Sequence, residues 1–233
     1  MATNQSTSGF ASSLTDLMTS LAVIFILLLA ASLNNVLQGG EDTRNQILLQ
    51  LREALREFAV KGVEVKSDPK DPLGLLVLVP TGLLEFAFND ARIPAAGIKF
   101  LKEFMPKLAG IGCSTQFKKE INSIVVEGHA DSQGTDEYNL RLSQMRSMGV
   151  VQSSLNVLNE NDKEALLDLR ACFLEFLSAS GRGRSELVLG PSGEEDKQRS
   201  RRVIFKIHVR SVAQKPLSDL LQPVSQPLPS NSQ

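Results

Sequence analysis

One long apolar stretch near the start of the chain constrains its fold more than any other feature. Between Leu14 and Leu33 the only charged side chain is Asp16. A helix of about 20 residues is about 30 Å long, which matches the hydrocarbon core of a bilayer. The stretch therefore predicts a single transmembrane helix, which we assign to residues 14–37, after a cytoplasmic tail over residues 1–13.

Asp16 is the first candidate functional residue. A carboxylate at membrane depth costs about 3 kcal/mol and needs a polar partner, a water-filled path or a proton. In a helix the hydroxyl groups of Thr19 and Ser20 lie on its face, three and four positions on. Two alternatives remain open: Asp16 could cap a helix that begins at Leu17, or the small residues at 30–32 could mark the cleavage site of a signal peptide.

Composition and charge narrow the class of protein. A chain of 233 residues with 42% hydrophobic residues can form one modest soluble domain. Its formal net charge of −1 gives no reason to expect nucleic acid as a partner. No Lys or Arg precedes the apolar stretch, and Glu41 and Asp42 follow it. We therefore expect the N-terminus in the cytosol and the C-terminal bulk outside it.

The cysteines and histidines do not form a metal-binding motif. Cys113 and Cys172 are far apart in the sequence and make no C-x-x-C pair, and His129 and His208 are the only histidines. We therefore expect no metal and no cofactor. In an oxidising compartment the two cysteines could form a disulfide, and two buried free thiols are the alternative.

An amphipathic pattern predicts a juxtamembrane helix after Gly39-Gly40, where we expect the first helix to break. Its apolar residues follow the a/d spacing of a coiled coil: Leu48, Leu51, Leu55 and Phe58. Two copies could bury this apolar seam in a parallel dimer, or a single helix could pack it on its own domain. A polar connector that contains prolines, over 66–72, completes the segment 41–72.

The rest of the chain alternates between strand and helix patterns. Strands are predicted over 75–79, 84–88, 121–127 and 202–209, and helices over 98–108, 139–158 and 163–177. This order predicts an α/β sandwich of few strands over residues 73–210. Residues 211–233 are rich in Pro, Ser and Gln, which predicts a disordered tail.

Three spaced motifs lie in the α/β region. They are Gly128-His129-Ala130-Asp131, the run YNLRLSQMR over 138–146, and Ser200-Arg201-Arg202-Val203. Together they resemble the peptidoglycan-binding domain of the OmpA C-terminal family. The resemblance implies that Asp131 and Arg146 bind the diaminopimelate of the stem peptide and that Asn139 supports it. The chemistry agrees, because a carboxylate can bind the ammonium group of that ligand and a guanidinium can bind its carboxylate.

Two features depart from that family. The aspartate that the family commonly carries after its first strand is absent, and the corresponding run here is Phe86-Ala87-Phe88. The segment over 158–180 is also longer than the usual link. A structural alternative for Asp131 and Arg146 is a salt bridge that fixes the loop to the helix.

An early intramembrane aspartate followed by such a domain resembles the MotB class of ion-driven stator subunits. Asp16-Leu17-Met18-Thr19 is similar to the run that carries the ion-binding aspartate in that class. The resemblance implies a homodimer of this chain inside a ring of five copies of a polytopic MotA-like partner. Asp16 would carry the ion across the inner membrane, and the OmpA-like domain would bind the wall in the periplasm. The short helical connector is most similar to the stator-like subunit of the Zorya antiphage defence system.

Other functions remain open. A flagellar-type stator has the same parts, and a passive membrane-to-wall anchor would not need Asp16. A TolR/ExbD-type energising subunit shares the aspartate but lacks the GHAD and NLRLSQMR motifs. No nucleophile motif, phosphate loop or metal cluster indicates an enzyme. Since no cluster of oxygen ligands is evident beside Asp16, we expect a proton rather than sodium.

Overall fold

The computed structural model describes residues 6–84, 86, 90–159 and 164–210. The chain divides into a first unit that contains the N-terminal residues up to Gly40 and a second unit over Glu41–Arg210. The predicted tail over 211–233, residues 1–5 of the predicted cytoplasmic tail and most of the predicted strand over 84–88 lie outside the described residues.

The first element is the long helix α1 (Ser6–Ala54). Its segment Leu14–Asn34 has a mean hydropathy of 2.2 and is, within the described residues, the one helical segment long and apolar enough to cross a membrane. The helix is not interrupted at Gly39-Gly40, so the predicted break is wrong. A glycine costs a helix only about 1 kcal/mol, which the helical residues on either side can offset.

The second unit is built on a five-stranded mixed sheet in the order β1-β2-β5-β3-β4. The strands are β1 (Glu64–Ser67), β2 (Gly74–Val79), β3 (Ile121–Gly128), β4 (Leu177–Gly181) and β5 (Val203–Val209). Besides the end of α1, the helices are α2 (Arg56–Ala59), α3 (Ala95–Gly112), α4 (Asp136–Asn159), α5 (Glu164–Phe176) and α6 (Lys197–Ser200). Only β3 and β4 pair in parallel. The predicted α/β class is confirmed.

Two strands were missed by the sequence patterns. β1 lies where the sequence predicts the start of a polar connector, and β4 follows α5 without a turn. Both are short edge strands of the sheet. Their sequences, EVKS and LSASG, contain few of the β-branched and aromatic residues that mark a strand. Pairing with neighbouring strands, rather than local preference, therefore determines their conformation.

One face of the sheet forms the core. Phe205 on β5 is paired with Val77 on β2 and with Val126 on β3, and all three are fully buried. The ring of Phe104 on α3 packs 5.4 Å from that of Phe205. Burial of such side chains stabilises the fold by about 1.5–3 kcal/mol each. The alternation predicted for β5 is confirmed, with Ile207 on the same face.

The predicted apolar seam of the juxtamembrane helix is part of this core. Leu51 and Leu55 are buried. The ring of Phe58 lies edge-on to Phe100 and Phe104 at 5.7 and 5.6 Å. Of the two alternatives, the structure shows the seam packed on the chain's own domain, so it is not available for a parallel dimer.

The two cysteines connect two helices of the core. Cys113 directly follows α3, and Cys172 lies in α5. Their Sγ atoms are 2.07 Å apart, as in a disulfide, and the two residues are separated by 59 positions in the sequence. The bond closes the chain around β3 and α4, the two elements that carry the candidate site.

Candidate functional site

The predicted site residues meet in one groove of about 560 Å³. Asp131 lies in the loop after β3, Asn139 and Arg146 lie on α4, and Arg201 lies just before β5. The remaining walls are mostly apolar: Gly82, Leu83, Phe86, Pro94, Ala96, Ala130, Gln133, Tyr138 and Leu142. The groove therefore gathers charged groups in a largely apolar setting, where interactions between charges are stronger than in water.

Two glycines shape the loop that carries Asp131. Gly128, the last residue of β3, lies against α4, and a Cβ there would be 2.2 Å from the carbonyl oxygen of Ser143. Only glycine permits that approach. Gly134 has a φ of +93°, a left-handed conformation that allows the chain to turn into α4. Ser143 also accepts a hydrogen bond from the N–H of Gly183, at 2.9 Å from its Oγ, which fixes α4 to the end of β4.

The carboxylate of Asp131 is held from two sides. Its side chain is only 8% exposed. Oδ1 accepts a hydrogen bond from the backbone N–H of Gln133 at 3.1 Å. Oδ2 lies 3.0 Å from Nη1 of Arg201. Asp131 is therefore an oriented anion at the edge of the groove, with oxygens that an incoming ammonium group can share.

The guanidinium of Arg146 is the buried cation of the groove. Arg146 is 4% exposed, its Nε donates to the carbonyl oxygen of Asp90 at 3.1 Å, and its guanidinium lies 5.0 Å from the centre of the Phe86 ring. Burial, followed by the charge of Arg201, lowers the pKa of Arg146, but an arginine keeps its charge at neutral pH. A positively charged fork is therefore fixed in a dry environment, as recognition of a carboxylate requires.

Asn139 holds the loop rather than extending the charged surface. It is fully buried, and its Nδ2 donates to the backbone carbonyl of Asp131 at 3.2 Å. Its own backbone N–H donates to the carbonyl of Thr135 at 3.0 Å. The side chain thus connects the first turn of α4 to the loop that carries Asp131.

The structure brings all three predicted residues of the soluble domain together and adds a fourth. Asp131 pairs with Arg201, and the two described side chains of Asp131 and Arg146 do not form an ion pair with each other. The structural alternative of a salt bridge between loop and helix is therefore not observed. Arg201 lies in the third motif of the sequence, and this position was the signal that could have identified it.

His129 lies two positions before Asp131 in the sequence but does not line the groove. Its ring is buried, and neither ring nitrogen has a hydrogen-bond partner among the described residues. Burial, with the charge of Arg202 as the next cause, lowers its pKa to about 3. The ring is therefore neutral and belongs to the interior of the domain.

Asp16 lies in the first unit, inside the apolar segment of α1. Because α1 begins at Ser6, Asp16 is not the capping residue of this helix. Thr19 and Ser20 follow it at helical spacing, and the hydroxyl of Thr19 donates to the carbonyl of Thr15. Among the described residues no basic side chain forms an ion pair with Asp16.

One solved structure supports the fold. The chain is similar to a MotB-like protein from Desulfovibrio vulgaris, with a TM-score of 0.51 and 20% identity over 75% of this chain and 99% of that one. It is also similar to the cell wall anchor of the T6SS from Pseudomonas aeruginosa, with a TM-score of 0.46 and 22% identity over 69% of this chain and 97% of that one.

Sequence similarity identifies the family. No protein-family model matches the chain. The Zorya protein ZorB of Escherichia coli O139:H28 (strain E24377A / ETEC) is 32% identical over 204 aligned residues, and the match covers 82% of this chain and 77% of that protein. Identity at this level over most of both chains shows common descent, and the chain therefore belongs to the Zorya ZorB family.

Proposed function

We propose that this chain is the peptidoglycan-anchored subunit of an inner-membrane, proton-driven rotary motor in antiphage defence. The observation that carries the proposal is the groove in which Asp131 presents a nearly buried carboxylate and Arg146 a buried guanidinium. Membership of the ZorB family supports the defence role.

The groove suits the free end of diaminopimelate, where one carbon carries both an ammonium group and a carboxylate. The ammonium group binds the carboxylate of Asp131, and the ligand carboxylate binds the guanidinium of Arg146. Each hydrogen bond to a charged group contributes about 1.5–3 kcal/mol. The fixed positions of both side chains reduce the entropy that binding would otherwise cost.

Arg201 adds a second step to this binding. In the free protein its guanidinium occupies one oxygen of Asp131, at 3.0 Å. When the ligand arrives, its ammonium group shares the Asp131 carboxylate, while its carboxylate offers Arg201 a second partner. The ion pair between Asp131 and Arg201 is thereby replaced by a network that also includes both charged groups of the ligand. Arg201 therefore keeps an anionic partner when the ligand binds.

In this proposal, α1 crosses the inner membrane with its N-terminus in the cytosol. The soluble unit lies in the periplasm, where the wall is. The disulfide between Cys113 and Cys172 supports an oxidising compartment. The apolar side chains of the span are exposed in the isolated chain, with Phe25 at 67%, and require lipid or a partner helix to cover them.

A homodimer of this chain, inside a ring of five copies of a polytopic MotA-like partner, completes the proposed motor. Asp16 carries the proton, since it is a carboxylate in the middle of a helix with no basic partner among the described side chains. Protonation and release at Asp16 then turn the ring about the anchored dimer. Because α1 already begins at Ser6, the role of proton carrier is better supported for Asp16 than the role of a helix cap.

The wall-binding part is tested by sedimentation of the full-length, detergent-purified protein with purified sacculi. The double variant Asp131→Ala, Arg146→Ala should lose at least about tenfold in affinity, because both charged ends of the ligand lose their partners. The matched control is Asp136→Ala, Arg184→Ala, which removes an exposed ion pair outside the groove at the start of the same helix. Undiminished binding by a folded Asp131→Ala, Arg146→Ala variant would place the site elsewhere.

A further inference from the structure

A second groove of about 710 Å³ continues the first along α4. Tyr138 and Leu142 line both grooves and form their common border. A ligand that is seated between Asp131 and Arg146 can therefore extend into the second groove without leaving the protein surface.

The period of the helix separates the residues of the two grooves. Tyr138, Leu142 and Arg146 follow one another at four-residue spacing and line the first groove. Arg141, Met145 and Met148 form the adjacent stripe and line the second. Arg141 and Arg146 are five positions apart, which is about 7.5 Å along the helix axis and about 140° around it. A ligand that contacts both side chains therefore has to cross the border formed by Tyr138 and Leu142.

Of the charged residues that line the second groove, Arg141 is the one without an oppositely charged partner among the described residues. Arg92 lies in this groove, but its Nε and Nη2 bind Oδ2 of Asp90 at 2.9 and 2.7 Å. Hydrogen bonds from Arg92 hold the pKa of Asp90 at about 2, so this pair stays neutral as a whole at physiological pH. Arg141 is exposed and has no acidic partner among the described residues.

Two methionines give the second groove an apolar part. Met145 and Met148 are 53% and 43% exposed, although both are large hydrophobic side chains on a helix of the folded unit. A ligand segment that fits this groove therefore carries one anionic group and small apolar groups next to it.

The stem peptide has this chemistry. Diaminopimelate is joined to the γ-carboxyl group of a glutamate, whose α-carboxylate is left free, and the methyl groups of an alanine and of the lactyl ether follow. We infer that Arg141 binds this glutamate α-carboxylate and that Met145 and Met148, in the same groove, cover the neighbouring methyl groups. The inference rests on the proposed function, and it makes the protein selective for stem peptides whose glutamate is not amidated.

The test compares two soluble peptides, L-Ala-γ-D-Glu-meso-diaminopimelate and the same peptide with the glutamate α-carboxylate converted to an amide. Titration calorimetry on the full-length protein in detergent measures both affinities. The wild type should bind the acid about two- to fivefold more tightly than the amide, as expected of an exposed ion pair. Arg141→Gln should bind both peptides equally, at the affinity that the wild type has for the amide.

The matched control is Lys99→Gln, which removes another exposed charge, on α3, and should keep the preference for the acid. Discrimination that survives in Arg141→Gln, or that is absent from the wild type while both peptides bind, would overturn the inference and leave the wall-binding proposal standing. If neither peptide binds the wild type, the proposed function fails, and the inference fails with it.

Discussion

The buried ring of His129 should make the soluble unit less stable as the pH falls below about 6.5. Its pKa is about 3 in the folded chain, because burial and then the charge of Arg202 disfavour the protonated ring. In the unfolded chain a histidine titrates near ~6.5. Between these values the unfolded state binds a proton that the folded state does not. Stability is therefore highest above the unfolded pKa and is lost as the pH falls below it.

The two pKa values set the size of the effect. Linkage predicts a loss of about 2 kcal/mol in the free energy of unfolding between pH 7.5 and pH 5. The loss is not sensitive to the exact folded value, because at pH 5 the ring is still neutral in the folded state. The pKa of Asp68 and that of Glu186 are lowered on folding from ordinary values of 3.8 and 4.5. Their contributions are lost mainly below pH 5, outside this window.

The assay is urea unfolding of the detergent-purified protein at a series of pH values, followed by the fluorescence of Tyr138, the only tyrosine. His129→Gln removes the titrating ring. The free energy of unfolding of this variant should therefore fall by about 2 kcal/mol less than that of the wild type between pH 7.5 and pH 5. Lys99→Gln, which removes an exposed charge from α3, is the control and should keep the pH dependence of the wild type. A slope in His129→Gln equal to that of the wild type would refute the reasoning.

Three further predictions follow from the same structure. Gly128→Ala should lower the free energy of unfolding by at least about 2 kcal/mol, because the new Cβ would overlap the carbonyl of Ser143. Gly82→Ala is the control and should be nearly neutral in the same urea assay, because no atom lies within 4 Å of its new Cβ. Replacing Cys113 and Cys172 by alanine should lower the free energy of unfolding by up to about 4 kcal/mol, according to the chain-entropy relation. Alkylation of both cysteines in the native, unreduced wild type would show that the bond does not form. Arg201→Ala should weaken binding to sacculi in the sedimentation assay, but less than Arg146→Ala does, because the side chain of Arg201 is 39% exposed. A loss equal to that of Arg146→Ala, or larger, would contradict the secondary role of Arg201.

The sequence predicted those elements whose local pattern and final packing agree. The alternation of Phe205 and Ile207 identified β5, because the same side chains fill the core. The strand over 177–181 was not predicted, since its small residues have weak preferences and β3 supplies the pairing that extends it. The coiled-coil spacing of Leu51 and Leu55 correctly indicated a buried face, but spacing alone does not say whether that face meets a second copy or the chain's own core.

The site was predicted in the same partial way. Motif spacing indicated Asp131 and Arg146 as candidate site residues, and the fold brings both into one groove. The sequence did not predict that Asp131 would pair with Arg201, because that contact depends on how the loop after β3 and the segment before β5 meet in space. The hydrogen bond from Arg146 to the Asp90 carbonyl, 56 positions away, has the same origin. Contacts between segments that are distant in the sequence depend on the three-dimensional fold, so local sequence patterns do not predict them.

Replacement of Asp16 by asparagine, measured as phage protection by the intact system, tests the central claim most directly. Asparagine has nearly the same size and can form hydrogen bonds, but it cannot carry a proton. Membrane insertion and co-purification with the polytopic partner establish that the variant assembles, and Asp16→Glu, which keeps the carboxylate, is its matched control. We predict that assembled Asp16→Asn loses protection, while Asp16→Glu retains part of it. Protection at the wild-type level by assembled Asp16→Asn would contradict the ion-driven motor and leave a passive wall anchor.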